Sequence, residues 1–172
     1  MTGWFRQRAR AVAAGVVLII LLLLFLVPLP TLLVSEQAGS PVLMLPMLFD
    51  KTCSLEYIHS VLKTPVRENF VLAPGNQLQL TSTTFKAYGV GTPYLPSEGK
   101  LENRHGEFVL TGLKRRFKEI NLGFVPLNKQ VLVYRGKKYP FSDYFKADSL
   151  VKIQVKPCTV AKIIWQMTLG GR

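Results

Sequence analysis

Val151-Lys152-Ile153-Gln154-Val155-Lys156 alternates apolar and polar side chains without a slip. A period of two places one set on a buried face and the other in solvent, which predicts a half-buried antiparallel strand. Outward from it, the same grammar recurs in short pieces. Residues 68–72 and 77–85 flank Ala73-Pro74-Gly75-Asn76 and predict a hairpin closed by a Pro-Gly turn. Residues 131–134 and 138–141 flank Arg135-Gly136-Lys137 in the same manner. Residues 42–48, 54–59 and 107–110 are further strand candidates, and along 113–125 the alternation changes phase between Phe117 and Ile120, where a bulge or break is expected. Seven or eight short strands with turns between them predict a mainly β fold, one compact antiparallel sandwich or barrel.

The front of the chain follows a different rule. Between Arg10 and Glu36 lie 25 residues without a charge, preceded by Arg6, Arg8 and Arg10. An apolar run of this length suits a hydrocarbon core of roughly 30 Å, and a basic N-terminal flank predicts that this end stays in the cytoplasm. The competing reading is a cleaved signal peptide. Residues 11–27 already make 17 before Pro28, longer than the usual signal core of about 7 to 15, and no small-x-small site follows, because cleavage after Ala38 would put Glu36 at minus three. The expectation is therefore a retained anchor. No Cys lies near its end for lipid attachment, and Gly15 has no glycine four residues away for close helix pairing.

The predicted organisation is a cytoplasmic start and single transmembrane helix over 1–34 and a linker over 35–41 around Gly39, Ser40 and Pro41. An extracytoplasmic β domain over 42–158 and a short tail over 159–172 follow. The part beyond the anchor is long enough for one core. Val160, Ile163, Ile164 and Met167 fall at i, i+3, i+4 and i+7, so the tail predicts a short amphipathic helix, packed on the domain or lying on a membrane or a partner.

The chain carries 22 Lys and Arg against 10 Asp and Glu, a formal charge of +12, and most of the excess lies beyond the anchor. Lys114, Arg116 and Lys118 would form a positive stripe along one strand face, and Arg135, Lys137 and Lys138 form a second cluster. On an exported domain such a surface points to anionic head groups, an acidic protein or an acidic ligand, or is simply solvated; nucleic acid is not expected there. Cys53 and Cys158 are either unconnected thiols or, if their strands are neighbours, a bridge closing a loop of 105 residues, for which the chain-entropy model gives about 4 to 5 kcal/mol.

Catalytic and cofactor patterns are sparse. His59 and Ser60 are adjacent on a predicted strand, so their side chains diverge and do not form a nucleophile and base pair. His59 and His105 are the only histidines and lack ligands at zinc-site spacing; a site using Glu56, Glu68 or Glu107 would have to be assembled by the fold. Gly89-Val90-Gly91 is not a dinucleotide loop, and no phosphate loop ends in Gly-Lys-Ser or Gly-Lys-Thr. No cofactor or metal is expected.

The most specific pattern is His59-Ser60-Val61, Thr64-Pro65-Val66 and Glu68, followed by Phe85, Tyr88-Gly89-Val90-Gly91 and Pro93. Pro65 biases Thr64 towards extended geometry, while Gly89 and Gly91 permit a positive-φ loop beside Tyr88. These residues resemble the bacterial domain-of-unknown-function family 1850, over about residues 42–155. The Cys pair is not part of that pattern. The resemblance implies a small anchored protein of a kind often encoded beside tripartite TRAP transporters of the TAXI type. The expectation drawn from it is a non-enzymatic accessory protein of solute uptake that docks on the permease or the solute-binding protein. Candidate binding residues are His59, Ser60, Thr64, Pro65, Glu68, Phe85, Tyr88, Gly89, Gly91 and Pro93. The alternative is an envelope ligand-binding or sensor domain whose positive face holds an acidic molecule; a third reading is an enzyme with a distributed site around His59 and Glu68.

Overall fold

The computed structural model describes residues 2–87 and 99–169. A helix, α1, spans Thr2–Leu26. Twelve strands follow among the described residues: β1 Pro28–Glu36, β2 Pro41–Pro46, β3 Thr52–Ile58, β4 Pro65–Ala73, β5 Gln77–Phe85, β6 Lys100–Arg104, β7 Glu107–Thr111, β8 Arg116–Phe117, β9 Glu119–Gly123, β10 Val131–Tyr134, β11 Lys137–Pro140 and β12 Leu150–Thr159. A second helix, α2, covers Val160–Leu169. Pro30–Lys156 forms one compact unit; α1 and the end of the chain from Pro157 form another.

The β unit holds two sheets, one ordered β2-β1-β12-β9 and the other β11-β10-β3-β4-β5-β7-β6 with β8 added on β5. Hairpin partners such as β1–β2, β3–β4, β4–β5 and β10–β11 run antiparallel. Leu32, Val34, Val151 and Ile153 of the first sheet and Leu55, Phe70, Leu78 and Leu132 of the second share one buried core, an arrangement compatible with a β-sandwich. Both expected hairpins are present, and the 151–156 alternation is realised in β12 with Val151, Ile153 and Val155 buried. At the β10–β11 turn Arg135 and Gly136 both take positive φ, 51° and 73°, the geometry of a tight two-residue hairpin.

The uncharged run at the front divides in two. Helix ends at Leu26, and β1 begins at Pro28, where two prolines without N–H donors cannot continue the helical ladder. Thr31 to Ser35 are all buried, so both faces of β1 are covered; such a strand loses its alternation and merges with the apolar helix before it. The region expected to be a linker is instead the turn of the β1–β2 hairpin, with Gly39 N–H donating to Glu36 O at 3.1 Å. The uncharged part of α1, Ala11 to Leu26, is 16 residues, roughly 24 Å at 1.5 Å per residue. Among the described residues no helix is long and apolar enough to cross a membrane.

Two other expectations change with the topology. The phase slip near Phe117 is a break at which the chain leaves one sheet for the other: β8 pairs with β5, and β9 pairs with β12. No single strand therefore carries Lys114, Arg116 and Lys118, and the positive stripe is not continuous, although all three residues are exposed. Cys53 on β3 and Cys158 on β12 are both buried free thiols, so the possible bridge is not present. Burial pushes the Cys53 thiol up to about 12.

The tail is helical as expected, capped by Thr159 Oγ1, which accepts the Lys162 N–H at 3.3 Å, and α2 packs beside α1. Ile163 is buried, whereas Ile164 and Trp165 are exposed.

Candidate functional site

Strand parity decides which motif residues face inward. Along β4, Val66, Glu68 and Phe70 share the face that packs into the sandwich, so a carboxyl occupies a position otherwise reserved for apolar side chains. Its cross-strand neighbours are Leu55 on β3 and Thr83 on β5. Thr83 is 1% exposed, and its hydroxyl has no hydrogen-bond partner among the described residues. Tyr57, two residues beyond Leu55, reaches Glu68 Oε1 with its hydroxyl at 3.4 Å.

These groups line a cleft of about 300 Å³ between the sheets, walled on the other side by Ile120 and Leu122 of β9 and rimmed by His59, Ser60 and Asn128. Burial raises the Glu68 pKa, against smaller lowering effects from the Tyr57 hydrogen bond and the Arg115 charge. The Tyr57 hydroxyl is raised too, chiefly by burial and then by the neighbouring Glu68 charge. Gln130, also on the wall, has both ends of its amide engaged: Oε1 accepts the Val125 N–H at 3.1 Å, and Nε2 donates to Gly123 O at 3.0 Å.

His59 closes β3 and shapes the turn into β4. Its Nδ1 accepts the N–H groups of Val61 and Leu62 at 3.3 and 3.2 Å, which places the ring proton on Nε2. Its N–H donates to Thr64 O at 2.9 Å, and Lys63 takes a positive φ of 54° to complete the reversal. Pro65 then opens β4, and Thr64 Oγ1 is buried without a partner among the described residues. Phe85, at the end of β5, is fully buried and stacks on Phe108 at 5.7 Å. A second cavity of about 460 Å³, lined by Pro65, Phe85, Arg67 and Lys86 among others, adjoins the first at Tyr57 and Val66.

The fold thus gathers His59, Ser60 and Glu68 around one cleft and Pro65 and Phe85 around its neighbour, all at one end of the second sheet. Tyr88, Gly89, Gly91 and Pro93 lie outside the described residues. Lys114, Arg116, Lys118, Arg135, Lys137 and Lys138 line neither cavity. Lys138 instead pairs with Glu56 at 3.0 Å, Arg116 Nε donates to Gln79 at 3.1 Å, and Lys137 lies over the Tyr139 ring. Glu56 projects from the face opposite Glu68, and Glu107 pairs with Lys86 at 3.6 Å, so the three glutamates do not converge with His59. Among the described residues no cluster of three or more His, Cys, Asp or Glu side chains could hold a metal ion.

Tyr57 and Thr83 belong to the site and were not singled out from the sequence. The β4–β5 register shifts at Asn69/Phe70, which leaves Thr81 unpaired and flips the parity of β5, so Leu78 and Leu80 face inward together with Thr83 and Phe85. The readable signal was Glu68 itself, a carboxyl in phase with Val66 and Phe70.

Fold and site together define a mainly β domain with an internal polar cleft. The chain belongs to the family described as Domain of unknown function (DUF1850), whose model matches residues 53–141, from β3 through β11 and therefore across the whole cleft-bearing sheet. No curated protein and no solved structure matches the chain.

Proposed function

We propose that this protein is a non-enzymatic, single-pass membrane protein with its N-terminus in the cytoplasm, its β unit beyond the inner membrane, and a docking role in a tripartite TRAP-type transporter of the TAXI type. The observation that carries the membrane part is the surface of α1. Every residue from Val16 to Leu26 is a large hydrophobe at least 39% exposed, so the helix is apolar on all sides and needs lipid or protein around it. Trp4, with the Arg8 guanidinium 3.5 Å from its ring centroid, supplies an aromatic and cationic group at the cytoplasmic edge. A 16-residue uncharged stretch is short for a bilayer; Val27 extends it, and local thinning with Arg10 reaching to the head groups accommodates the rest. The transporter role is supported by the family's resemblance-based association alone, and docking suits a domain whose basic side chains lie on its outside.

A reporter enzyme active only beyond the inner membrane, fused after Arg172, is expected to switch on, while a fluorescent protein that matures only in the cytosol stays dark at the same place. The reverse pattern overturns the topology. Purification in mild detergent is expected to enrich a permease or solute-binding subunit; enrichment of neither overturns the docking role.

The second reading is a ligand-binding domain, and the cleft at Glu68 favours it. The basic clusters that suggested an acidic ligand, around Arg116 and Lys137, line neither of these two cavities.

A further inference from the structure

Four of the side chains facing the cleft are apolar: Leu55, Val66, Ile120 and Leu122. Of the polar ones, Gln130 is committed at both ends and His59 Nδ1 is committed to the turn. Two groups on the floor retain capacity. Among the described residues Thr83 Oγ1 has no partner, and Glu68 receives one long hydrogen bond, from Tyr57 to Oε1. They sit opposite each other on adjacent strands, so a single donor group entering the cleft meets both oxygens. A buried hydroxyl left unpaired is costly, and a native structure that keeps one beside a carboxyl in a hollow calls for an occupant.

Charge selects the occupant. Among the described residues Glu68 is the one carboxyl lining the cleft, and no Lys or Arg lines it; Arg115 acts on Glu68 from outside the lining. A carboxylate or phosphate ligand would find no Lys or Arg among the described lining residues to hold it. An ammonium supplies three donors in a compact head, sufficient for Glu68 Oε2, Thr83 Oγ1 and one oxygen at the rim. The volume, at the small end of ligand pockets, admits a short apolar body behind it.

We propose that this cleft binds a small primary amine, its ammonium held between the Glu68 carboxylate and the Thr83 hydroxyl and its carbon skeleton packed on Leu55, Val66, Ile120 and Leu122. The proposal is independent of the docking role: an isolated protein in detergent either discriminates head groups or does not, whatever it assembles with.

The test uses the full chain in detergent micelles and three probes of equal carbon count, phenethylamine, 2-phenylethanol and phenylacetate, with methyl chemical shifts of the four apolar wall residues as the readout. Phenethylamine is expected to shift those methyls and to bind at least about tenfold more tightly than either other probe. Glu68→Gln is expected to remove that preference, and Arg116→Ala, on the exposed surface, to leave it unchanged. Equal or tighter binding of phenylacetate overturns the proposal, as does the absence of shifts with all three probes up to about 10 mM. The head-group ranking on the unaltered protein decides the matter even if a variant fails to fold.

Discussion

Glu68 is the residue on which most of the site's physics rests. A carboxyl facing the sandwich interior prefers its neutral form, so its folded pKa stands above the ordinary 4.5. A raised acid contributes stability that is complete below the unfolded value and is lost as the pH climbs through the folded one. The charged and titratable neighbours are Tyr57, His59 and Arg115. Unaltered protein is therefore expected to lose stability between pH 5 and pH 8 through this group, and Glu68→Gln to lose less over the same interval. Urea midpoints at the two pH values measure the difference, and identical slopes would contradict the assignment. His59, by contrast, acts on the backbone: His59→Ala leaves two turn N–H groups without their acceptor and is expected to cost about 1 kcal/mol by the same measurement.

At the scale of elements, the informative case is β1. Its Leu32-Leu33-Val34 run carries no alternation, since both faces of the strand are buried, and nothing in composition separates it from the Leu-rich helix upstream. Leu32→Ala is expected to destabilise the β unit by about 2 to 5 kcal/mol, the cost of a buried leucine with its cavity. Leu22→Ala in α1 removes an exposed side chain and is expected to leave the unfolding midpoint of the β unit unchanged. Elements with one wet face were legible: β12, the β4–β5 hairpin and the β10–β11 hairpin follow from alternation and turn residues. β6, Lys-Leu-Glu-Asn-Arg, was not, because an edge strand with almost no apolar content has no periodic signature. The same limit hid Thr83, whose inward position depends on the bulge opposite Asn69/Phe70.

On the scale of the whole molecule, the boundary between the front helix and the β unit has a direct consequence. A chain lacking residues 1–26 retains β1 and the full core, and is expected to fold with β-type circular dichroism and a single gel-filtration peak. A chain lacking residues 1–34 loses Thr31 to Val34 from a central strand, uncovers the β2 and β12 edges, and is expected to aggregate. By itself the sequence determined the β class, the turns, the helical tail, the apolar front and the family motif, because each is written in periods and residue types within a few positions. Tertiary structure alone decided that the apolar front divides between helix and core strand, that both cysteines are buried free thiols, that the two basic clusters around Arg116 and Lys137 line neither cavity, and that Glu68, Thr83 and Tyr57 meet in one cleft. Those outcomes depend on which strands become neighbours and in what register, and pairing across the chain leaves no local trace for a period or a propensity to report.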